Sequence, residues 1–324
     1  MTPVVDVRDL RTHLVTRWGT IKAVDGVSFA LGEAETLGLV GESGSGKSMT
    51  CLSIVRLVPR PAARIVGGAV RLDGDDLLAK SEPEMQRIRG RKVAMILQDP
   101  MSSLNPVFSI GMQMREPLTM YHGLRGTAAA ARAAQLLGSV RIPSPETRLR
   151  AFPHQLSGGM RQRVVGAMAI AGPPRLLIAD EPTTSLDLTI QAQYLGLLKE
   201  LQAQHRFAMI FVTHNLGIVA RTCDRVAVMY AGRIVELGPV RRLFTAPAHP
   251  YTRALLDSIP RFGARRETLT AIAGQPPDLA RLPGGCAFAP RCPDAMDRCR
   301  AEAPPETTAA AGHTTRCWLH VPAA

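Results

Sequence analysis

Long hydrophobic runs are missing from this 324-residue sequence. Its apolar stretches have the length of single strands, as at residues 36–40, 93–97 and 176–179. A helix that crosses a bilayer needs about 20 consecutive apolar residues. The opening residues MTPVVDVRDL also lack the apolar stretch of a signal peptide. We therefore expect a chain that stays in the cytoplasm and cannot span a membrane alone.

Aromatic residues are scarce, at 4% of the chain, although the formal net charge is +12. Only five of the 39 basic residues are lysine, and no basic motif is interleaved with aromatic side chains. This argues against nucleic acid as a partner, because aromatic stacking within a basic groove is typical of such proteins. The positive charge remains compatible with an anionic membrane surface or with acidic protein loops.

Closely spaced cysteine pairs are absent, although the sequence has six cysteines. Cys51 and Cys223 stand alone in apolar surroundings and are expected to be ordinary buried side chains. The other four crowd the last 40 residues: Cys286, Cys292, Cys299 and Cys317. In a cytosolic chain such a cluster binds metal more often than it forms disulfides.

The spacing of these four cysteines is C-x5-C-x6-C-x17-C. Zinc sites usually contain C-x2–4-C pairs, whereas loose spacing with a Cys-Pro step favours a [4Fe–4S] cluster. Zn²⁺, unmetallated thiols and a disulfide remain alternatives, and His313 and His320 are expected to be bystanders. We expect the cluster to staple a segment with almost no core of its own. A redox-sensing role is the alternative to this structural one.

Apolar strands alternate with helical patterns along the rest of the chain. Strands are predicted at 4–10, 24–31, 36–40, 93–98, 176–180 and 208–213, and helices at 47–58, from LSGG to 171, and at 190–204. Residues 100–155 are rich in Met, Ala and Arg and predict a helical insertion. A last helix is predicted in HPYTRALLDSIP, with Pro260 ending it. Strands alternating with helices predict a mostly parallel sheet covered on both faces.

Residues 41–48, GESGSGKS, fit the phosphate-binding pattern G-x-x-x-x-G-K-[ST] between a predicted strand and a predicted helix. The backbone N–H groups of residues 43–48 are expected to point at phosphate oxygens, assisted by the helix dipole. Lys47 would neutralise the β and γ phosphates, and the hydroxyl of Ser48 would bind Mg²⁺. These residues predict a nucleotide site.

The stretch RLLIADE is an apolar strand that ends in two carboxylates, Asp180 and Glu181. Asp180 is placed to hold Mg²⁺, and Glu181 to act as general base on the attacking water. A second glycine-rich turn, LSGGMRQR at 156–163, also opens a predicted helix.

With these motifs the chain resembles, over essentially its whole length, the ATP-binding subunit of an ABC transporter. LSGGM resembles the signature loop of that family, and Met160 in place of the usual Gln resembles its oligopeptide and dipeptide importer branch. Gln98 in MILQDPMSSLNP matches the Q-loop, SLD at 185–187 the D-loop, and His214 in FVTHN the switch histidine. Trp18, 23 residues before Gly41, stands where the family has an aromatic residue that stacks on adenine.

The resemblance implies a P-loop NTPase of the ABC type: a RecA-like, mostly parallel α/β sheet, an antiparallel β-subdomain and a helical subdomain at about 100–158. The nucleotide-binding domain is expected over residues 1–245. Residues 246–324, here called the C-terminal extension, are expected to be a small Cys-rich unit. HPYTRALL and the pattern around Cys286 and Cys292 resemble the extension of peptide-importer ATPases, some of which carry a [4Fe–4S] cluster.

The resemblance also implies functional residues for both glycine-rich turns. Catalysis is expected of Lys47, Gln98, Glu181 and His214, and Mg²⁺ binding of Ser48, Gln98 and Asp180. ATP binding is expected of Trp18, Gly41, Ser43, Gly44, Ser45, Gly46, Lys47, Ser48, Met49, Gln98 and Asp180. In the family two such domains pair head to tail, so Ser157, Gly158, Gly159 and Asp187 would act on nucleotide held by the partner domain.

The function implied is ATP hydrolysis that drives uptake of dipeptides or oligopeptides, at the cytoplasmic face of the inner membrane. Expected partners are a homologous ATPase subunit in a heterodimer, two transmembrane permeases and, indirectly, an extracytoplasmic solute-binding protein. Residues 99–125 would receive a cytoplasmic helix of a permease. The alternatives are a soluble ABC ATPase acting on nucleic acid or ribosomes, a non-hydrolysing regulatory protein, and an importer of nickel, glutathione or sugar.

Overall fold

The computed structural model describes residues 3–259 and 271–322. The described part of the chain contains twelve strands: β1 (Val5–Thr16), β2 (Gly19–Leu31), β3 (Thr36–Val40), β4 (Ala63–Leu72), β5 (Asp75–Asp76), β6 (Val93–Ile96), β7 (Leu176–Asp180), β8 (Ala208–Val212), β9 (Arg225–Tyr230), β10 (Arg233–Pro239), β11 (Thr307–Ala310) and β12 (His313–Thr315).

The same residues contain twelve α-helices: α1 (Lys47–Ile54), α2 (Glu82–Ile88), α3 (Pro100–Ser103), α4 (Ile110–His122), α5 (Gly126–Ser139), α6 (Pro145–Arg148), α7 (Gly158–Ala169), α8 (Leu188–His205), α9 (Leu216–Thr222), α10 (Val240–Thr245), α11 (Pro250–Asp257) and α12 (Asp297–Ala301). Short 3-10 helices lie at Pro153–Gln155, Ala289–Arg291 and Trp318–His320.

A first compact unit contains residues 31–35 and 79–212 together with the start of the chain. Its strands have the order β8-β7-β6, and β7 pairs in parallel with both neighbours. Strands β7 and β8 are buried along their whole length, as expected of parallel strands with both faces covered. Because parallel strands end at the same edge of a sheet, the residues that follow β6 and β7 are brought to one edge.

The predicted helical insertion is present in this unit as α3 to α6. Helices α4 and α5 pack against each other, and α5 also packs against α7. The alanine-rich face of α5 is buried at Ala129 and Ala133, because small side chains let neighbouring helices approach closely. The chain then returns through a 3-10 turn to the start of α7, where the LSGG turn lies.

A second compact unit contains residues 6–30, 36–78 and 213–324. One of its sheets has the order β2-β1-β4-β5, and the other runs β11-β12-β10-β9-β3. Strand β3 pairs in parallel with β9, whereas β9 and β10 form an antiparallel pair. The loop of residues 41–48 follows β3 directly and leads into α1, so the strand fixes where this loop begins.

The C-terminal extension has an apolar core, which corrects the expectation that it lacks one. Tyr251 and Phe288 are fully buried in a cluster with residues of β9 and β10. A satellite cluster joins Ala289, Cys299 and Trp318, and β12 adds a strand beside β10. Ordinary apolar packing therefore stabilises this segment, and no staple is needed to explain its fold.

Most of the predicted elements are confirmed, with shifts at their ends. The strands predicted at 36–40 and 176–180 match β3 and β7, and the helix predicted at 47–58 ends earlier, at Ile54. Strands β4, β9 and β10 were not predicted. The helix in HPYTRALLDSIP is α11, while Pro260 lies outside the described residues. The domain boundary at 245/246 stays a prediction.

Within residues 3–259 and 271–322, no helix combines the length and the apolar character that a membrane crossing requires.

Candidate functional site

The loop of residues 41–48, here called the phosphate loop, depends on glycine at two close approaches. Gly41 has φ 151° and Gly46 φ 105°, both in the region that favours glycine. A Cβ at Gly41 would overlap the carbonyl oxygen of Met229, and one at Gly46 that of Ala23. Only glycine lets the loop turn here against neighbouring backbone. The loop is thus held on β9 and β2.

Lys47 is buried within this loop, with 7% of the residue exposed. Its Nζ donates hydrogen bonds to the carbonyl oxygens of Gly41 and Glu42, both at 2.9 Å. Ser43, Gly44 and Ser48 are exposed, whereas the hydroxyl of Ser45 is buried and has no hydrogen-bond partner among residues 3–259 and 271–322. Helix α1 begins at Lys47 without a side-chain cap. A positively charged group and uncapped N–H donors therefore share one turn, which suits an anion.

The residues that form hydrogen bonds and an ion pair with Glu42 were not predicted from the sequence. This second residue of the phosphate loop is paired with Arg291 of the C-terminal extension, whose Nη1 lies 2.7 Å from Glu42 Oε2. The backbone N–H of Glu42 donates to the hydroxyl oxygen of Tyr251 at 2.9 Å. No local pattern links positions so distant in sequence.

Trp18 and His214 also belong to the second unit and are both exposed. Trp18 lies between β1 and β2 with 76% of the residue exposed, and the guanidinium of Arg17 stands 4.6 Å from its ring centroid. His214 follows β8, one residue before Asn215, which caps α9. Met49, in the first turn of α1, is partly buried.

In the first unit, the end of β7 carries the two predicted carboxylates. Asp180 is buried, with 7% of the residue exposed. Glu181 turns the chain with φ 46°, and its N–H donates to the carbonyl oxygen of Val212 at 3.0 Å. Asp180 is the last residue of β7, whereas Glu181 already belongs to the turn that follows the strand.

Gln98, which follows β6, lies beside Glu181. The side-chain amide Nε2 of Gln98 donates to Glu181 Oε2 at 3.2 Å, and the hydroxyl of Thr184 donates to the same oxygen at 3.0 Å. Two donors on one oxygen fix the orientation of the carboxylate. The structure thus brings Gln98 and Glu181 together, as the parallel order of β6 and β7 leads one to expect.

The LSGG turn opens helix α7 in the first unit. Ser157 is its N-cap, and its hydroxyl accepts a hydrogen bond from the N–H of Met160 at 3.3 Å. A Cβ at Gly158 would meet no atom within 4 Å, whereas one at Gly159 would crowd Ile190. Asp187 caps α8, accepting from the N–H groups of Thr189 and Ile190. Ser157, Gly158, Gly159 and Asp187 line one cavity of about 440 Å³.

The four cysteines of the C-terminal extension are free thiols. Burial raises the pKa of Cys286 and Cys292, and it raises the pKa of Cys317 to about 11, so these thiols stay protonated near neutral pH. Among residues 3–259 and 271–322, no three His, Cys, Asp or Glu side chains are grouped so that they could hold a metal ion. The predicted [4Fe–4S] cluster, and zinc in its place, are therefore wrong.

The metal centre was predicted wrongly because the spacing of these cysteines carries no information about side-chain direction. Cys299 and Cys317 are buried in the packing of the extension. His313 is paired with the buried Glu236, Nε2 to Oε1 at 2.7 Å, and His320 Nε2 lies 2.8 Å from the carbonyl oxygen of Ala248. Both histidines have structural partners.

Two sequence models of known families match the chain. The family described as ABC transporter matches residues 24–184, and the one described as oligopeptide/dipeptide transporter, C-terminal region, matches residues 235–299. The second match covers much of the C-terminal extension, including Tyr251 and Arg291.

Curated relatives align with nearly the whole chain. A putative peptide import ATP-binding protein of Brucella melitensis is 49% identical over 99% of both chains. The oligopeptide transport ATP-binding protein OppD of Bacillus subtilis is 49% identical over 98% of this chain and 89% of its own. The dipeptide transport ATP-binding protein DppD of the same organism is 47% identical over 98% of this chain and 95% of its own.

Among solved structures, the fold is similar to that of the ATP-binding cassette MJ0796, a dimer in a post-hydrolysis state bound to ADP and Pi. The TM-score is 0.65 at 26% sequence identity, over 73% of this chain and 99% of that one. A second dimeric structure of the same bacterial cassette gives a TM-score of 0.64 with the same coverage. The predicted cassette fold is confirmed.

Proposed function

Because this chain belongs to the ABC transporter family, in its oligopeptide and dipeptide importer branch, we propose that it binds and hydrolyses ATP to drive peptide uptake. One observation carries this proposal: relatives described as peptide import ATP-binding proteins are 49% identical to the chain over almost its whole length. The uncapped start of α1, the buried Lys47 and the fixed Glu181 supply the chemistry that hydrolysis of a nucleoside triphosphate requires.

The phosphate loop is proposed to hold the β and γ phosphates of ATP. Helix α1 begins in this loop without a side-chain cap, and Lys47 adds a positive charge. The adenine is proposed to stack on the exposed ring of Trp18, with Met49 beside the nucleotide. Mg²⁺ suits the oxygen donors of Ser48, Gln98 and Asp180, and when bound it neutralises charge on the phosphates.

Glu181 is proposed as the general base that takes a proton from the attacking water. The hydrogen bonds from Gln98 and Thr184 orient the carboxylate of Glu181, and a positioned carboxylate is a suitable proton acceptor. His214, exposed at the end of β8, is proposed to contact the γ-phosphate region as the switch histidine.

Two cassettes are proposed to close head to tail on ATP. One open cavity is lined by Ser157, Gly158, Gly159 and Asp187, which are distant in sequence from the phosphate loop of the same chain. The related MJ0796 cassette is dimeric. In this arrangement the LSGG turn of one chain would donate to the γ-phosphate bound by the other. Loss of that phosphate by hydrolysis would release the pair. A homologous ATPase subunit is the proposed partner, in a heterodimer.

Two membrane permeases are the proposed docking partners, which would hold the chain at the cytoplasmic face of the inner membrane. Around α3 and α4 the apolar side chains of Val107, Phe108 and Met112 are exposed at 71%, 44% and 53%. An exposed apolar patch of this kind is typical of an interaction site. A solute-binding protein on the other side would deliver the peptide.

The proposal is tested in proteoliposomes by reconstituting the chain with the proposed partners, which are two permeases, a second ATPase subunit and a solute-binding protein from the same organism. We expect ATP hydrolysis that rises when the binding protein carries a peptide, together with peptide uptake into the lumen. Stimulation by nickel, glutathione or sugar instead of peptide would identify another cargo. Stimulation only by nucleic acid or ribosomes would refute the importer function.

A further inference from the structure

The C-terminal extension contacts the phosphate loop through an ion pair whose arginine is buried. Arg291 donates to both carboxylate oxygens of Glu42, Nη1 to Oε2 at 2.7 Å and Nη2 to Oε1 at 3.0 Å. The Arg291 side chain is 4% exposed and that of Glu42 is 27% exposed. A two-point contact between a planar guanidinium and a carboxylate fixes orientation as well as distance.

Arg291 is itself held firmly by the extension. Its Nε donates to the carbonyl oxygen of Ala273 at 2.9 Å, and its Cζ lies 5.9 Å from the ring centroids of Tyr230 and Phe288. The hydrogen bond to Glu42 raises the pKa of Arg291 still further above its ordinary value. The guanidinium of Arg291 is therefore held at several points, by a carboxylate, a backbone carbonyl and two aromatic rings.

Tyr251 adds a second point of attachment. Its hydroxyl oxygen accepts the N–H of Glu42 at 2.9 Å, and the residue is fully buried. The ring packs at 4.6 Å from Tyr230 and 5.3 Å from Phe288, measured between centroids. Backbone and side chain of Glu42 are thus both bound by residues that lie outside the ABC transporter match at 24–184.

The contact between the extension and Glu42 extends through a further hydrogen bond to Lys47, the positively charged residue of the phosphate loop. The carbonyl oxygen of Glu42 accepts a hydrogen bond from Lys47 Nζ, so one residue connects Arg291 and Tyr251 to the lysine of the loop. A loop that is already ordered loses less conformational freedom when its ligand binds. A buried ion pair is in itself a weak source of stability. Its value here lies in fixing the phosphate loop.

We propose that Arg291 and Tyr251 are positioning residues for the phosphate loop, and that the C-terminal extension thereby sets the affinity of the chain for ATP. The inference rests on the proposed ATP site at residues 41–48. It assigns to the extension a role in nucleotide binding.

The test compares Arg291→Ala, Arg291→Lys and Tyr251→Phe with the wild-type chain. We expect Arg291→Ala to raise the Kd and the KM for ATP by roughly tenfold or more, while kcat at saturating ATP changes less than about twofold. Arg291→Lys should recover part of the affinity, because an ammonium keeps the charge but cannot bridge both oxygens. Tyr251→Phe should raise KM by a smaller factor.

A matched control lies in the same extension. Arg253 pairs with Asp294 at 3.4 Å, and their side chains are 48% and 39% exposed. Arg253→Ala removes an ion pair of the C-terminal extension in which neither residue belongs to the phosphate loop. The affinity for ATP should therefore stay at the wild-type value. Glu42→Gln should resemble Arg291→Ala, and the double variant should be no worse than either single variant, since all remove the same contact.

A reciprocal measurement on the wild-type chain tests the inference even if the variants fail to fold. If the extension stabilises the ATP-bound loop, ATP must stabilise the extension by the same free energy. In the wild-type chain, ATP should slow hydrogen exchange at the amides of Cys286 and Arg291, which are bonded to Cys299 and Phe288 carbonyls. Unchanged exchange, or wild-type KM in Arg291→Ala, would overturn the inference. A wild-type chain that binds no ATP would instead refute the proposed function.

Discussion

The side-chain amide of Gln98 donates a hydrogen bond to the carboxylate of Glu181 across 3.2 Å. The two residues follow neighbouring parallel strands, β6 and β7, and Thr184 donates to the same carboxylate oxygen. A proposed general base is therefore oriented by a residue at the boundary of the helical segment that begins with α3.

Replacing Gln98 by alanine tests this orientation. We expect kcat for ATP hydrolysis to fall about tenfold, because the base loses its alignment. The Kd for Mg-ATP should rise by a smaller factor, because Gln98 is only one of the proposed Mg²⁺ ligands and the phosphate loop is untouched. Steady-state hydrolysis and equilibrium nucleotide binding give the two values. Gln193→Ala, a change at an exposed glutamine bonded to Arg163, is the control and should leave both values unchanged. Wild-type kcat in Gln98→Ala would contradict the role.

The exposed ring of Trp18 gives a second prediction. Stacking of a base on an aromatic side chain contributes about 1–3 kcal/mol, so Trp18→Ala should weaken ATP binding by about tenfold. Trp18→Tyr should retain most of the affinity, because the ring is kept. Equilibrium dialysis with radiolabelled ATP measures the affinity of each chain, because this method needs no signal from Trp18 itself. Equal affinities in all three chains would rule out stacking on Trp18.

Gly158 separates the role of the LSGG turn in a pair of cassettes from its role in one chain. Since a Cβ at Gly158 meets no atom within 4 Å, Gly158→Ala should leave the fold and ATP binding of the isolated chain unchanged. In the proposed pair the methyl group would intrude on the facing γ-phosphate. We expect ATP-dependent dimerisation to be lost and kcat to fall by about a hundredfold.

Gly196→Ala is a matched control for this change, because Gly196 lies within α8 and is also open within 4 Å. It should keep dimerisation and raise stability by about 0.5–1 kcal/mol, as alanine favours helix. Light scattering with and without ATP, on chains that carry Glu181→Gln to prevent turnover, compares the two alanine variants. If Gly158→Ala dimerises like Gly196→Ala, the head-to-tail arrangement is wrong.

His249 makes stability depend on pH. It is fully buried, and burial, with the nearby charges of His320 and Arg253, lowers its pKa from 6.5 to about 3. The unfolded chain therefore binds a proton below about pH 6.5 that the folded chain takes up only near pH 3. Stability from this group is complete above pH 6.5 and falls by up to about 1.4 kcal/mol per pH unit below it.

Urea unfolding at pH 7.5, 6 and 5 measures this slope. His249 Nδ1 accepts the N–H of Tyr251 as the N-cap of α11, and asparagine is a good cap that does not titrate. His249→Asn should therefore show a flatter dependence on pH with the helix start retained. The same slope in both chains would mean that other groups control acid sensitivity.

The parts of the site that were predictable share a local origin. The phosphate loop could be identified because strand, glycines, lysine and helix follow one another within a few residues. Gly41 and Gly46 stand where a Cβ would overlap neighbouring backbone. Gln98 and Glu181 were predicted separately, and parallel pairing of β6 with β7 explains their contact. Strand ends and local motifs could therefore be predicted from the sequence.

The contacts of the C-terminal extension could not be predicted in this way. Arg291 and Glu42 are 249 positions apart, and a charged pair leaves no periodic signal in either segment. The cysteine spacing suggested a metal centre, yet Cys299 packs with Ala289 and Trp318. In a segment rich in proline and glycine, apolar side chains far apart in sequence formed a core that spacing alone could not reveal.

The most direct test of the central claim is a paired measurement of ATP binding and hydrolysis by Glu181→Gln. The substitution keeps the shape of the side chain and its place between Gln98 and Thr184, but removes the proton acceptor. We predict wild-type affinity for ATP with turnover reduced by roughly 10²–10⁴-fold. Turnover at the wild-type rate would contradict the account.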